Sequence, residues 1–310
     1  MSSSKEAKWS ISYNNAKMVA SLLVLTYLLL AFLFRNNLPV RTVFSDISIA
    51  VASCLGAAGL IYALLNAGKQ EKNVRLALTL MASGMLFNVL AEIVWTILDV
   101  VLRQQPFPSL ADGFYLMYYP LFTLGVMFLP ADRLSSRERT RIIIDILIIM
   151  STAILIFWDF IIAPILANGR ESALALALSV AYPILDIVLL FALIELLYRR
   201  WNSLHLGPML FLLAAIVATM AADISFGVQS SSETYVPGGL VDLGFVLGYT
   251  LFGLAGVSQA EEWRLHPKGI SRRTRYDQSA WTRYLPYCSL CAAYLLLVWN
   301  QAILHPSIYQ

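Results

Sequence analysis

Seven acidic side chains lie in or beside long apolar stretches of this chain, where ionisable groups are rare. They are Asp46, Glu92, Asp112, Asp159, Asp186, Asp223 and Asp242. A charged group at membrane depth costs about 2.5 to 3.5 kcal/mol on insertion scales, so it usually faces a protein interior. Such groups could bind protons or a cationic ligand. The structural alternative is that Glu92 and Asp223 are protonated, or bond to neighbouring Tyr, Ser or Asn groups, and hold helices together.

Two of these acids head stretches that resemble each other. Residues 109–125 align with residues 239–255 at an offset of 130, with six identities in seventeen positions. In each stretch an aspartate is followed by aromatic residues three and seven positions later. This spacing puts the three side chains on one helix face, where they could line a pocket. The aligned pairs are Asp112 with Asp242 and Tyr119 with Tyr249. Each aspartate is also predicted to cap its helix, and Ser109 with Asp112 forms a capping-box pattern.

The acids that precede these stretches correspond as well. Glu92 and Asp223 each lie sixteen residues into an apolar segment, which at about 1.5 Å per residue places both about 24 Å from the inner surface. Asp46 corresponds approximately to Asp186, and this alignment predicts that the helix carrying Asp186 begins near Tyr182. The predicted site is one outward-opening cavity between two repeats. Its ligand-binding residues are Glu92, Asp112, Tyr119, Asp186, Asp223, Asp242 and Tyr249.

The elements that position these residues are predicted to be membrane-spanning helices. Hydrophobic residues make up 59% of the chain, charged residues 13%, and the mean hydropathy is +0.69, which is typical of a polytopic membrane protein. The predicted fold is an all-α bundle of about nine transmembrane helices, built from two parallel four-helix repeats plus one extra helix. The predicted regions are a cytoplasmic tail (1–15), the first repeat (16–131), the second repeat (142–257), a basic cytoplasmic loop (258–283) and the ninth helix with its outer end (284–310).

Orientation is predicted from the basic residues, because loops rich in Lys and Arg stay cytoplasmic. With the N-terminus inside, the inner segments hold 18 of the 22 basic residues. We therefore expect a multi-pass protein of the plasma membrane, the inner membrane of a bacterial cell, with residue 310 on the outer side. The net charge of +3 does not call for a nucleic-acid partner.

The predicted spans lack the residue arrangements of several classes of membrane enzyme. The three histidines, His205, His266 and His305, fall in loops or at the last helix end, so an intramembrane haem or zinc site is not expected. No Gly-x-Ser-x-Gly motif occurs. We therefore expect no catalytic residue and no metal site. The sequence does not identify a cofactor.

Several motifs carry a resemblance to a known group of proteins. They are the pattern PxxxADxFYLxxYPL at residues 108–121, the stretch YPILD at 182–186, AAD at 221–223, and YVPGGLVDLGFVLGY at 235–249. Together they resemble the multi-spanning N-terminal membrane region of bacterial and archaeal signalling proteins, which precedes cyclic-di-GMP synthase and hydrolase domains or histidine-kinase modules. The resemblance covers roughly residues 42–300 and implies a membrane sensor or input module.

The resemblance leaves the output open, since the chain contains no GGDEF, EAL or kinase motif. We expect a cytoplasmic signalling effector that acts in trans or belongs to sequence beyond residue 310, reached through a tenth span. The bilayer, a small-molecule ligand and a second copy of the chain in a homodimer are the other partners considered. A transporter is the main alternative, because an internal repeat with intramembrane acids also suits transport. A scaffold that recruits partners through basic inner loops is a third.

Overall fold

All regular secondary structure in the described part of the chain is helical. The computed structural model describes residues 11–68, 70, 72–129, 136–163, 166, 172–200, 206–232 and 234–265, with single positions between 284 and 298. The helices are α1 (Tyr13–Leu33), α2 (Leu38–Asn66), α3 (Lys72–Thr96, continued by a π-helical turn at Ile97–Val101), α4 (Leu110–Phe128), α5 (Ser136–Phe157, continued by a π-helical turn at Trp158–Ile162), α6 (Ala173–Arg200), α7 (Leu206–Ser231) and α8 (Leu240–Leu265).

Seven of the helices are long and apolar enough to cross a membrane: α1, α2, α3, α5, α6, α7 and α8. Helix α4 falls outside this set because its tyrosines, Asp112 and Pro120 lower its mean hydropathy. The predicted ninth helix lies mostly outside the described residues, although the positions described between 284 and 298 are helical. The all-helical, multi-pass prediction is therefore confirmed in its coarse form.

The helices from the two halves of the chain are interleaved. Helix α2 packs against α8 as well as against its sequence neighbour α3, and α4 packs against α6 as well as against α3. The start of α1 lies beside the ends of α2 and α8, because the Ile11 N–H donates to the Tyr62 hydroxyl and the Tyr13 N–H to Glu261 Oε2, both at 3.0 Å. Contacts between the halves therefore form much of the core.

Glycines allow α2 and α8 to touch through their backbones. A Cβ atom placed on Gly59 would collide with the backbone of Gly253, and one on Gly256 would collide with that of Gly59. A Cβ on Gly253 would lie 2.6 Å from the carbonyl oxygen of Leu55. The sequence predicts a small-residue face on each of these helices. That face of α8 is divided, since Gly244 and Gly248 contact α7 whereas Gly253 and Gly256 contact α2.

The predicted start of the helix that carries Asp186 is wrong. Helix α6 begins at Ala173 and continues through Tyr182 and Pro183, so Asp186 lies well inside the helix. The residues between Ala173 and Ala181 are mostly Ala and Leu, which favour helix, and the aligned segment of the first half has no such extension. Hydropathy, which buries Asp186 deep in a span, was the better guide at this position.

Candidate functional site

The hydroxyl of Tyr119 contacts two acids from the other half of the chain. It lies 3.0 Å from Asp186 Oδ1 and 3.2 Å from Asp223 Oδ2. Tyr119 comes from α4, Asp186 from α6 and Asp223 from α7. Tyr119 and Asp186 are buried, with 4% and 2% of their surface exposed, whereas Asp223 is half-buried. Three helices therefore meet at one phenol oxygen.

The aligned tyrosine of the second half contacts polar residues of the first half. The Tyr249 hydroxyl, on α8, lies 3.0 Å from Glu92 Oε1 and 3.2 Å from Asn88 Oδ1, both on α3. Asn88 in turn donates from Nδ2 to Ser53 Oγ on α2 at 2.9 Å. Glu92 and Asn88 are buried, and they share a helix face because they are four residues apart. Each of the two tyrosines is therefore bonded to polar residues of the opposite half.

Asp112 caps its own helix and also bonds to the other half. Its Oδ2 accepts the Ser109 N–H at 2.6 Å and completes a capping box with the Ser109 side chain. Its Oδ1 accepts the Tyr182 hydroxyl of α6 at 2.6 Å. The predicted capping role of Asp112 is thus confirmed, and the bond to Tyr182 is an addition that the sequence pattern did not indicate.

Asp242 is held by three donors. Its Oδ2 accepts the Ser45 hydroxyl of α2 at 2.5 Å and the Gly238 N–H at 2.6 Å, and its Oδ1 accepts the Tyr235 hydroxyl at 2.8 Å. Tyr235 lies in the connection between α7 and α8. Burial and the neighbouring Asp242 carboxyl raise the pKa of Tyr235 above its ordinary value. Its hydroxyl therefore stays protonated at any physiological pH and remains a donor.

Asp46, which aligns approximately with Asp186, has a different environment. It is buried with 4% of its surface exposed and lies beside another acid, Asp99. Its Oδ2 has no hydrogen-bond partner among the described residues. The two halves therefore share their tyrosines and capping aspartates but differ at this acid.

Aromatic rings pack together near Glu92 and Asp242. Trp95 packs edge-on against Tyr115 and Phe226, with ring centroids 6.4 and 5.8 Å apart, and Phe226 packs against Tyr235 at 4.9 Å. Tyr115 interacts electrostatically with Glu92. The indole of Trp95 is therefore a natural reporter of changes near this acid.

Few positive charges balance these acids. Within the described residues, ion pairs join Arg141 to Asp145 and Arg264 to Glu261, and none involves an acid of the predicted site. Arg41 is the basic residue that acts on Asp242 through space. No group of three metal-ligating side chains occurs in the described part of the chain. The acids therefore rely on hydroxyl and backbone donors.

The structure places all seven predicted ligand-binding residues in the same half of the bundle along the helix axes, from the helix starts at Asp112 and Asp242 to the interior of α6 at Asp186. Each is linked to another polar group. Asp159 lies on the π-helical turn that continues α5. A cavity of about 50 Å³ occurs toward the other end of the bundle, lined by apolar residues of α2, α3, α6, α7 and α8 and by Leu129, which follows α4. The outward-opening cavity between the acids stays a prediction.

Four polar partners were not among the predicted site residues: Ser45, Asn88, Tyr182 and Tyr235. Sequence signals existed for three of them. Asn88 precedes Glu92 by four residues, Tyr182 precedes Asp186 by four, and Ser45 adjoins Asp46. A search for polar side chains one helical turn from each acid would have found Asn88 and Tyr182.

Comparisons with known proteins place no constraint on this site. No protein-family model matches the chain, and neither a curated protein nor a solved structure is significantly similar to it. The function is therefore inferred from the residues and contacts themselves.

Proposed function

We propose that this chain is a membrane sensor or input module that binds a proton or a small cationic ligand from the outer side and passes the change to the inner side. The observation that carries the proposal is the crossed bonding of the two aligned tyrosines. Tyr119 bonds to Asp186 and Asp223, and Tyr249 bonds to Glu92. A change of charge at any of these acids alters a bond between the two halves.

The proposal includes a duplicated architecture of nine spans, with two four-helix repeats related by a pseudo-twofold axis. Two observations support it. Phe122 and Phe252 occupy aligned positions and pack against each other, with ring centroids 4.8 Å apart, as expected for residues on such an axis. The aligned tyrosines also contact acids that align with each other, Asp223 for Tyr119 and Glu92 for Tyr249.

The output belongs to the same proposal. The resemblance to membrane regions of cyclic-di-GMP and histidine-kinase proteins suggests that a cytoplasmic effector reads the inner ends of the helices. Basic residues concentrate in the segments proposed to be cytoplasmic, with 18 of 22 on that side. Such segments can contact anionic lipid or an acidic partner surface.

Fluorescence of Trp95 tests the binding step. The chain has seven tryptophans, so a variant that keeps only Trp95 would be reconstituted in lipid vesicles and exposed to pH and salt steps from one side. We expect its emission to shift in response to the outer side, and Glu92→Gln and Asp223→Asn to abolish the shift. Asp145→Asn, which changes a carboxyl paired with Arg141 on α5, is the matched control and should keep it. An unaltered response in both site variants would contradict the proposal.

A transporter is the second candidate, and the apolar cavity favours it. That cavity lies on the inner side of the acids and is lined by helices of both halves, including Leu60, Met81, Leu196 and Leu212. Widening of this gap would connect the acids to the other face of the membrane. Uptake of a cation or protons into sealed vesicles, lost in Asp223→Asn, would favour transport over sensing.

A further inference from the structure

The hydroxyl of Tyr119 lies within hydrogen-bond distance of two carboxyl groups. The Tyr119 oxygen lies 3.0 Å from Asp186 Oδ1 and 3.2 Å from Asp223 Oδ2. A phenol hydroxyl carries one hydrogen and accepts through its lone pairs. It can donate to only one carboxylate at a time. The second contact becomes a full hydrogen bond only if that carboxyl carries a hydrogen of its own.

The described residues around the pair supply no alternative counter-charge. In the described part of the chain, neither Asp186 nor Asp223 forms an ion pair. Among the described residues, the titratable groups that act on the pair are acids or phenols. These groups are Tyr118 and Tyr119 on α4, Glu92 on α3, Tyr182 on α6 and Tyr249 on α8. Two carboxylates that share a site resist joint ionisation.

A second, independent observation comes from the neighbouring tyrosine. The Tyr118 hydroxyl is buried and has no hydrogen-bond partner among the described residues, and only 6% of the residue is exposed. Its ring packs edge-on against Tyr119 at 5.3 Å, and it interacts electrostatically with both Asp186 and Asp223. An unpaired buried donor costs about 1 to 3 kcal/mol. This hydroxyl is therefore an unused donor on the residue next to Tyr119, whose own hydroxyl the two acids share.

We propose that Asp186 and Asp223 together bind one exchangeable proton through Tyr119, and that Tyr118 is the donor recruited when the proton leaves. In the bound state, one carboxyl O–H donates to the Tyr119 oxygen, and Tyr119 donates to the other carboxylate. On release, that carboxyl O–H bond breaks, the proton passes to solvent, and the pair gains one negative charge. Tyr119 then donates to one carboxylate and Tyr118 to the other. The described arrangement, with Tyr118 unpaired, is the proton-bound state.

The two acids are exposed to different extents. Asp186 has 2% of its surface exposed, whereas Asp223 is half-buried. We therefore assign the exchange of the proton to Asp223, the more exposed acid of the pair. The site around Tyr249 does not require an added proton. Its hydroxyl contacts one acid, Glu92, and the amide of Asn88. An amide can turn its NH₂ group toward the tyrosine and needs no added hydrogen.

This inference deepens the proposed function by naming the proton as the bound species, and it rests on that function only for its link to the inner side. Infrared difference spectroscopy over a pH series tests it. The protein would be held in lipid, with aspartate carrying ¹³C at its carboxyl carbon so that aspartic and glutamic acid bands separate. The variants are Asp223→Asn and Tyr118→Phe. The matched control is Tyr62→Phe, which lies near the C-terminal end of α2, away from the two acids.

We expect the wild-type protein to show a protonated aspartic acid band that disappears as the pH rises. Asp223→Asn should lose this band, because the amide supplies the missing hydrogen. Tyr118→Phe should keep the band and shift its midpoint upward by about one to two pH units, since the deprotonated state loses a donor to a charged group. Tyr62→Phe should match wild type.

Two results would overturn the inference: a band that persists unchanged in Asp223→Asn, or a midpoint in Tyr118→Phe that equals that of Tyr62→Phe. Tyr118→Phe removes a hydroxyl that makes no bond in the described state, so it keeps the test usable if Asp223→Asn fails to fold. A titrating band without any change at the inner helix ends would remove the sensor proposal and leave the proton site standing. Movement of the inner helix ends without a titrating aspartic acid band would remove the proton site and leave the sensor proposal standing.

Discussion

Phe122 and Phe252 meet edge to face at the centre of the bundle, with ring centroids 4.8 Å apart and neither side chain exposed. They occupy the same position in the two aligned stretches, 130 residues apart. A contact between equivalent residues is expected where a pseudo-twofold axis passes. The pair therefore joins α4 and α8, the helices that carry the two site tyrosines.

Truncating either ring should destabilise the protein to a similar extent. We expect Phe122→Ala and Phe252→Ala each to cost about 3 to 5 kcal/mol, as for a large buried aromatic residue. The double variant should cost less than both single costs combined by about 0.5 to 1.5 kcal/mol, because the rings interact directly. Denaturant unfolding in detergent measures the cycle. Phe32→Ala, at a position 66% exposed on α1, is the control, and a coupling energy of zero would contradict a direct interaction.

The α2–α8 contact predicts a position-dependent effect of added methyl groups. Gly59→Ala and Gly256→Ala should both lower the unfolding temperature sharply or prevent folding, because the new Cβ meets backbone atoms that cannot turn aside. Gly113→Ala on α4, where a Cβ meets nothing within 4 Å, should be neutral or slightly stabilising, since Ala favours helix over Gly by about 1 kcal/mol. Equal tolerance of all three would show that the helices are farther apart than described.

The orientation prediction rests on the distribution of basic residues. After replacement of Cys54, Cys288 and Cys291, cysteines introduced at Gln104 and at Ser232 should react with a membrane-impermeant reagent from outside the cell. Cysteines at Gln70 and Ser136 should react only after the membrane is opened, because the neighbouring Lys and Arg hold these loops inside. Gln104, Ser136 and Ser232 are exposed, which keeps burial from masking the result. Labelling of the cysteines at Gln70 and Ser136 from outside, and not of those at Gln104 and Ser232, would show that the orientation is the reverse.

Hydropathy and local pattern were sufficient for the helical class and for much of the local structure. The capping box at Ser109 and Asp112 was readable from four residues, because a capping box depends on backbone groups within one turn. The small-residue face of α2 was also readable, and Gly56 and Gly59 lie against α8 as a close-approach face requires.

Partner identity was not readable, because it depends on which helices cross. The bonds from Tyr182 to Asp112 and from Ser45 to Asp242 join residues 70 and 197 positions apart, and no local period indicates them. The start of α6 was misplaced for a related reason. The alignment of the halves assigned to α6 the start of its counterpart α2. The Ala and Leu residues before Tyr182 extend α6 beyond that point.

The central claim is that the acids at the outer ends control the arrangement of the two halves at the inner ends. Spin labels at Phe128 on α4 and Leu265 on α8, both exposed, report the distance between the halves at that end. We expect this distance in lipid-reconstituted protein to change when the pH crosses the titration of the outer site. Asp223→Asn, which mimics the proton-bound acid, should keep the low-pH distance at every pH. A wild-type distance that is the same across the whole titration would contradict the claim.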